Sequence, residues 1–414
     1  MIQQQPVQFE REYEQVVSDL RAALLRMFDE LGLDPYAPQD VARRLGLNKT
    51  LTWNLSRVIR STDGFSALPH IPGQQAMTKV LDAAAEHGAS AATLDGVRSA
   101  LAAFRDMTRV HVGDRTSLEL VIDSMPTPGG DATENSRKLA FRGNSGLYGL
   151  QARTRLVSSM VVPNADDPTR LDVAFLSGFV GLRRLRSEVR WPIFKMRMQT
   201  QPHVQSDLWD SESPGQPRFF SKGTPPNIEV VHSNGDRDFV LMPGAVGDTA
   251  AFDCFRGEVF RAVVPRYRTQ ADQTGDFGAS ITLPCEHLIL DLIVHRDLEF
   301  ALRAQMMVFS TIYSPGEPDR SSNDASLLPI AQPTREIVGS PPVVASPRVP
   351  QYTQFFADMH RKLGVDPAQL RGIRVELMYP PLGSMVVLRY NLPEAPTAPS
   401  RSSPGSTEYP PAAS

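Results

Sequence analysis

The chain has 414 residues and a net charge of −3, with 41% hydrophobic and 21% charged residues. Those are the proportions of an ordinary globular protein, long enough for two or three domains of about 100–200 residues each. They exclude a uniformly basic nucleic-acid coat and a globally disordered chain. The N-terminal residues Met1 to Pro6 lack the basic start and apolar run of a signal peptide. The longest mainly apolar stretch, residues 171–182, has 12 residues, short of the roughly 20 that a membrane span needs. A soluble cytoplasmic protein without a membrane partner is the expectation.

Phe9, Tyr13, Val16, Leu20, Leu24, Met27 and Leu31 recur at three- and four-residue steps, with Glu10, Arg11, Glu14, Arg21 and Glu30 between them. This predicts a helix over 9–31, stopped at Gly32 with Pro35 beyond. It is also a candidate dimer element. Further helices are expected from Pro38, over 49–60, over 74–86 and over 93–108.

The segment Pro38-Gln39-Asp40-Val41-Ala42-Arg43-Arg44-Leu45-Gly46-Leu47-Asn48-Lys49-Thr50-Leu51-Thr52-Trp53-Asn54-Leu55-Ser56-Arg57-Val58-Ile59 meets the demands of two helices crossing over a tight turn. Ala42 allows close approach and Gly46 opens the turn. Leu45 and Leu47 fill the crossing, and Leu55, Val58 and Ile59 hold the second helix down. The segment resembles the helix-turn-helix of bacterial winged-helix and related transcriptional regulators, whose segments read V-A-x-x-L-G-L-x-K. It departs from them at Thr52, where a branched apolar residue is usual, and at Asn48, where Ser or Pro is commoner. Thr62-Asp63-Gly64 is a turn signal without alternating strands after it, so a helical rather than a winged extension is expected.

The resemblance implies that Lys49, Thr50, Trp53, Asn54 and Arg57 face a DNA groove, where Asn reads adenine and Arg reads guanine. Arg43 and Arg44 on the first helix would approach phosphates. Residues 38–60 carry a net charge of +4, which suits DNA. An ordinary αα-hairpin with a solvated face has similar charge, and Trp53 serves equally well as a packing residue between helices or subunits.

Pro126-Thr127-Pro128-Gly129-Gly130-Asp131 is the best domain boundary. It gives a helical domain over 1–125, a linker over 126–136 and an α+β domain over 137–314. Short apolar or β-branched runs at 155–162, 171–180, 191–198, 227–232, 239–242, 287–294, 373–378 and 385–390 read as strands. Residues 380–383 read as a hairpin turn between the last two. Residues 351–364 read as an amphipathic helix. The fold class is therefore α+β: an all-helical helix-turn-helix module, then a larger mixed and mainly antiparallel β-rich domain, completed by 351–392.

Residues 315–350 contain eight prolines and read as a surface loop or linker. Residues 393–414, with six prolines and five serines, read as a disordered tail.

Residues 137–197 carry a net charge of +8, densest at Arg183, Arg184, Arg186 and Arg190. They form a candidate second polyanion surface, with Trp191 available for stacking. The competing reading, an exposed strand face paired with acidic residues, is favoured.

The glycines of 143–149 fit a tight turn better than a phosphate loop. His287, Asp291 and His295 alternate with apolar residues in a strand. Each lies about 13 Å from the next at roughly 3.3 Å per residue, too far apart to share one metal ion. They read as a polar outer face. The carboxylates at 236–258 yield no assignable acid/base pair, and no catalytic signature is present.

With Cys254 and Cys285 the only cysteines, a disulfide-rich scaffold and a thiolate-only zinc site are excluded. No cofactor or metal is expected. The leading expectation is a DNA-binding transcriptional regulator, homo-oligomeric, bound to double-stranded DNA, whose second domain senses an unidentified small-molecule effector or oligomerises. An interaction protein using the helical head for docking ranks second, and an enzyme in the β-rich part third.

Overall fold

The computed structural model describes residues 5–123, 131–196, 205–209, 216–221, 223, 225–233, 236–312 and 326–396. It divides into two compact units, Met1–Thr127 and Pro128–Ser414. The class is α+β, with helices in the first unit and mixed elements in the second.

The first unit contains α1 (Gln5–Glu30), α2 (Pro38–Arg44), α3 (Lys49–Arg60), α4 (Gly64–Ala67), α5 (Gln74–Glu86), α6 (Ala91–His111) and α7 (Arg115–Asp123). Phe9, Tyr13, Leu20, Leu24 and Met27 of α1 are buried together with Val17 and Phe28, the stripe that its periodicity predicts. They pack in one core with residues of α3, α5 and α6, so this face of the candidate dimer helix is buried inside the unit. The helix ends where Gly32 takes φ +60° and Leu33 N donates to Phe28 O at 2.9 Å. That left-handed turn is one glycine adopts without strain.

α1 also holds α4 in place. Tyr13 Oη donates to Gly64 O at 2.9 Å, and Glu14 accepts from Gly64 N at 2.9 Å. A Cβ at position 64 would lie 2.9 Å from Glu14 Oε2, so a larger residue there would push the Glu14 carboxylate aside. No strand follows α3 among the described residues of this unit, and the extension is helical.

The second unit opens with α8 (Asp131–Tyr148). This helix overlaps the expected linker at 131–136 and absorbs the glycines of the expected turn at 143–149, leaving only Gly149 in the left-handed region at φ +71°. Gly143 and Gly146 sit inside the helix, with nothing within 4 Å of where their Cβ atoms would be. Residues 124–130 lie outside the described residues.

The strands are β1 (Leu150–Pro163), β2 (Arg170–Arg184), β3 (Trp191–Met196), β4 (Gln205–Asp207), β5 (Arg218–Ser221), β6 (Ile228–Ser233), β7 (Asp236–Leu241), β8 (Phe252–Pro265), β9 (Thr274–Ile281), β10 (Cys285–His295), β11 (Gln305–Ser310), β12 (Arg335–Glu336), β13 (Leu370–Met378) and β14 (Ser384–Asn391). α9 (Tyr352–Leu363) lies between β12 and β13 in sequence. The main sheet runs β12-β13-β10-β1-β2-β8-β4, with β5 also paired to β8. β1 and β10 are parallel, and the other neighbours are antiparallel. Smaller sheets run β11-β14-β9 and β3-β7-β6.

β13 and β14 belong to different sheets, so residues 380–383 are not a hairpin turn. They carry the chain from one sheet to the next. Both faces of the main sheet are covered. Val157, Leu290 and Leu292 share a core with Val308, Val386 and Leu388. On the other face, Leu156, Met160 and Ile289 pack with Tyr352, Phe355 and Met359 of α9. His287 and Asp291 point into this second layer and are buried, which overturns the expected polar outer face. Asp291 accepts two bonds from Arg374, at 2.8 and 2.7 Å, and one from the Tyr352 hydroxyl.

Residues 326–350 follow the surface of this unit as coil, but they are not a free linker. β12 pairs with β13, and Ile337, Val344 and Val349 are buried. The remainder of the Pro/Ser-rich loop, residues 313–325, lies outside the described residues. So does the expected tail from 397 onward. Its first residues are held, because Arg268 N donates to Pro393 O at 2.8 Å.

Candidate nucleic-acid interface

α2 and α3 are consecutive helices that pack against each other across the turn at 45–48. Pro38 starts α2. Gly46 takes φ +65° in the turn, and Leu45 is buried at the crossing. Asn48 caps α3 by accepting from Thr50 N at 2.7 Å. An Asn cap does the same work as Ser, so this departure from the family pattern leaves the helix start intact.

Thr52 is buried, and its Oγ1 donates to Pro38 O at 2.8 Å as well as lying 3.1 Å from Lys49 O. A hydroxyl thus fastens α3 to α2 where the family uses a branched hydrocarbon. Thr52→Val keeps the shape and removes the bond. It should lower stability by about 1 kcal/mol, read from the urea midpoint of the full chain. An unchanged midpoint would show that packing alone sets this crossing.

The inner face of α3 consists of Leu55, Ser56, Val58 and Ile59, all buried. The opposite face carries Lys49, Thr50, Trp53 and Arg57, all exposed, with Asn54 half-buried beside them. Positions 49, 53 and 57 follow a four-residue step and line one stripe. Arg57 stacks over Trp53 with its guanidinium carbon 4.3 Å from the ring centroid. Arg60 continues the stripe, donating to Tyr36 O at 2.8 Å and lying 5.2 Å from that ring. α3 contains three basic residues and no acid.

On α2, Arg43 and Arg44 are exposed. Arg43 pairs with Asp40 at 3.2 Å, a contact between two exposed side chains that water screens strongly. Arg44 reaches Gly32 O at 3.4 Å. Burial and the charge of Arg57 hold His70 below the usual histidine range. The stripe is therefore cationic and exposed, on a helix whose opposite face is buried.

No protein-family model matches the chain, and no curated protein matches it. Among solved structures it is similar to a "putative protease" from Parabacteroides distasonis, with 9% identity over 59% of this chain and 41% of that one, at a TM-score of 0.29. It is also similar to a variant M1 zinc metallopeptidase from Deinococcus radiodurans, with 8% identity over 57% of this chain and 42% of that one, at a TM-score of 0.23. The chain spans about two fifths of the length of either protein. Likeness at this level carries no argument about activity. Among the described residues, no group of three or more His, Cys, Asp and Glu side chains is placed to hold a metal ion. None of the described helices is long and apolar enough to cross a membrane.

In the basic segment at 137–197, Arg186 and Arg190 are exposed and Arg183 is half-buried. Arg184 is buried and donates to Met242 O and Ala245 O. Arg183 pairs with Asp248. Arg186 bonds Gly146 O, Leu147 O and Glu188, and Arg190 pairs with Glu229. Arg155 lies under the sheet, bonded to Leu156 O and Gly178 O, with its charge 4.5 Å from the Phe179 ring. Burial pushes its pKa down to about 10. Trp191 packs edge-on against Tyr148 at 5.1 Å. These arginines tie loops and strand ends to one another.

Proposed function

We propose that the chain is a DNA-binding transcriptional regulator. In this reading the helical unit contacts double-stranded DNA through α3, and the β-rich unit senses a ligand or joins copies of the chain. The observation that carries it is the solvent-facing stripe of Lys49, Trp53 and Arg57 on a well-capped second helix whose other face is buried. Lys49 and Thr50 would enter the groove first. Arg57 and Asn54 carry the donors that read base edges, and Arg43 and Arg44 would set the register on phosphates.

The test is fluorescence anisotropy of the full chain on a random-sequence duplex. With about four phosphate contacts, affinity should fall roughly 100-fold between 50 and 200 mM salt. Lys49→Ala should reduce the salt slope by about 1, and Arg57→Ala should weaken binding at low salt. Absence of binding at low salt, or a flat salt response, would sink the reading.

One observation favours a second reading, protein docking by the same head. Trp53 is 48% exposed and Tyr36 is 53% exposed, each with an arginine stacked on it. Trp, Tyr and Arg are the residues that anchor protein interfaces. That reading predicts a partner whose capture fails with Trp53→Ala while duplex DNA binding is absent throughout.

A further inference from the structure

The helical unit contains a cavity of about 450 Å³, within the range that small-molecule sites occupy. Its walls come from the turn after Leu68–His70, from α5 and α6, and from the start of α7. Met77, Leu81 and Phe104 are buried in its lining, and Leu101 is half-buried beside them. Four guanidinium groups surround these apolar residues: Arg98, Arg105, Arg109 and Arg115. On α6 the positions 98, 101, 105 and 109 follow three- and four-residue steps, so one helix stripe supplies both apolar lining and charge.

The charges are not equally available. Arg98 and Arg109 pair with Asp95 and Asp106 at 2.7 and 3.2 Å. Arg115 pairs with Glu119 at 3.0 Å. Arg105 donates to Leu101 O at 3.2 Å and has no carboxylate partner among the described residues. Two carboxylates also line the cavity, Asp82 and Asp114. Asp114 is engaged, because it accepts from Ser117 N at 2.8 Å and that bond holds its carboxyl below the usual range.

We infer that this cavity binds a small organic anion with an apolar body, a medium-chain or aryl carboxylate. Its carboxylate meets Arg105, and its hydrocarbon covers Met77, Leu81, Leu101 and Phe104. A neutral apolar ligand would gain nothing from Arg105. A small polar anion would leave the apolar lining wet. The amphipathic anion satisfies both.

The cavity wall is tied to the turn that packs on α3. Arg115 donates to Leu68 O at 3.0 Å and to Ile71 O at 2.6 Å, bracketing the short helical turn Leu68–His70 that packs against α3. A ligand that draws Arg115 inward would move this segment against α3. That coupling rests on the DNA-binding reading; the ligand site itself does not.

The experiment is isothermal titration of the full chain with octanoate, octylammonium and octanol. Octanoate should bind at least 10-fold more tightly than either analogue. Arg105→Glu, at an exposed position, should weaken octanoate at least 10-fold. Thr78→Trp, also exposed and at the cavity wall, should obstruct it. Equal binding of the three compounds, or octanoate affinity unchanged in both variants, overturns the assignment. For the coupling, octanoate should shift duplex affinity at 50 mM salt at least 3-fold in the parent chain and not in Arg105→Glu. Octanoate binding with no such shift overturns the coupling and leaves the site standing.

Discussion

Asp291→Ala is expected to destabilise the β-rich unit by about 3–5 kcal/mol. Asp291 is fully buried on β10, with Arg374 bound through two nitrogens and the Tyr352 hydroxyl donating to it. Burial works to raise the carboxyl pKa, while the Arg374 bonds and charge oppose it. The same carboxylate raises the Arg374 pKa against its own burial. Removing the acid leaves a guanidinium only 16% exposed with one remaining bond, to Ala345 O. Breaking one side of a buried pair costs far more than the pair contributes as a unit. Replacing both partners, Asp291→Leu with Arg374→Met, should therefore cost less than Asp291→Ala alone. Urea unfolding of the three proteins measures this. A loss below about 1 kcal/mol for Asp291→Ala would show that solvent reaches the site.

The second large effect is on pH dependence. His287 is 3% exposed, on the same face of β10, and its Nδ1 has no hydrogen-bond partner. Burial first, then the charge of Arg348, pushes its pKa down to about 4, with Glu376 pulling the other way and Arg374 adding to the depression. The folded state thus disfavours the protonated ring. Above pH 6.5 the histidine is neutral in both folded and unfolded chains and makes no difference. As pH falls from 6.5 toward 4 the unfolded chain takes up the proton first, so folding stability drops. At pH 4.5 the loss from this group is about 2–3 kcal/mol. His287→Gln cannot titrate and should show a smaller difference in urea midpoint between pH 7 and pH 4.5 than the parent chain. An identical pH response in the two proteins would mean that the ring takes up its proton as readily in the fold as in the unfolded chain.

Much of the helical unit was legible in the sequence because its helices bury one stripe and expose the other. α1 and α3 announce themselves by spacing alone, and the Gly46 turn marks the break before the second helix. Thr52 was legible only as a departure, since its partner Pro38 O lies 14 residues away and nothing in the spacing points to it. α8 was hidden by Gly143 and Gly146, which usually mark turns and here sit in a helix.

The central strand misled for a different reason. Alternation of His287, Asp291 and His295 with Leu and Ile is the pattern of a sheet with one wet face. α9 and the segment around Val344 and Val349 cover that face instead. Coverage by a distant helix leaves no mark on the strand itself. The arginine-lined cavity escaped for a similar reason, because residues from 71 to 115 converge on it in space.

The parallel pairing of β1 with β10 sets an order of events during synthesis. β1 ends at Pro163 and β10 begins at Cys285, so the strand that completes the centre of the sheet emerges roughly ten seconds later at about 5–20 residues per second. Until then β1 and β2 can pair only with each other and with β8, leaving one edge of β1 open. The helical unit is made first and closes its core from local neighbours. The β-rich unit must wait for distant ones, and proteins dominated by such pairings fold slowly. During that interval the uncovered edge of β1, a strand of 14 residues rich in Val, Leu and Ser, is open to mispairing and to capture by chaperones.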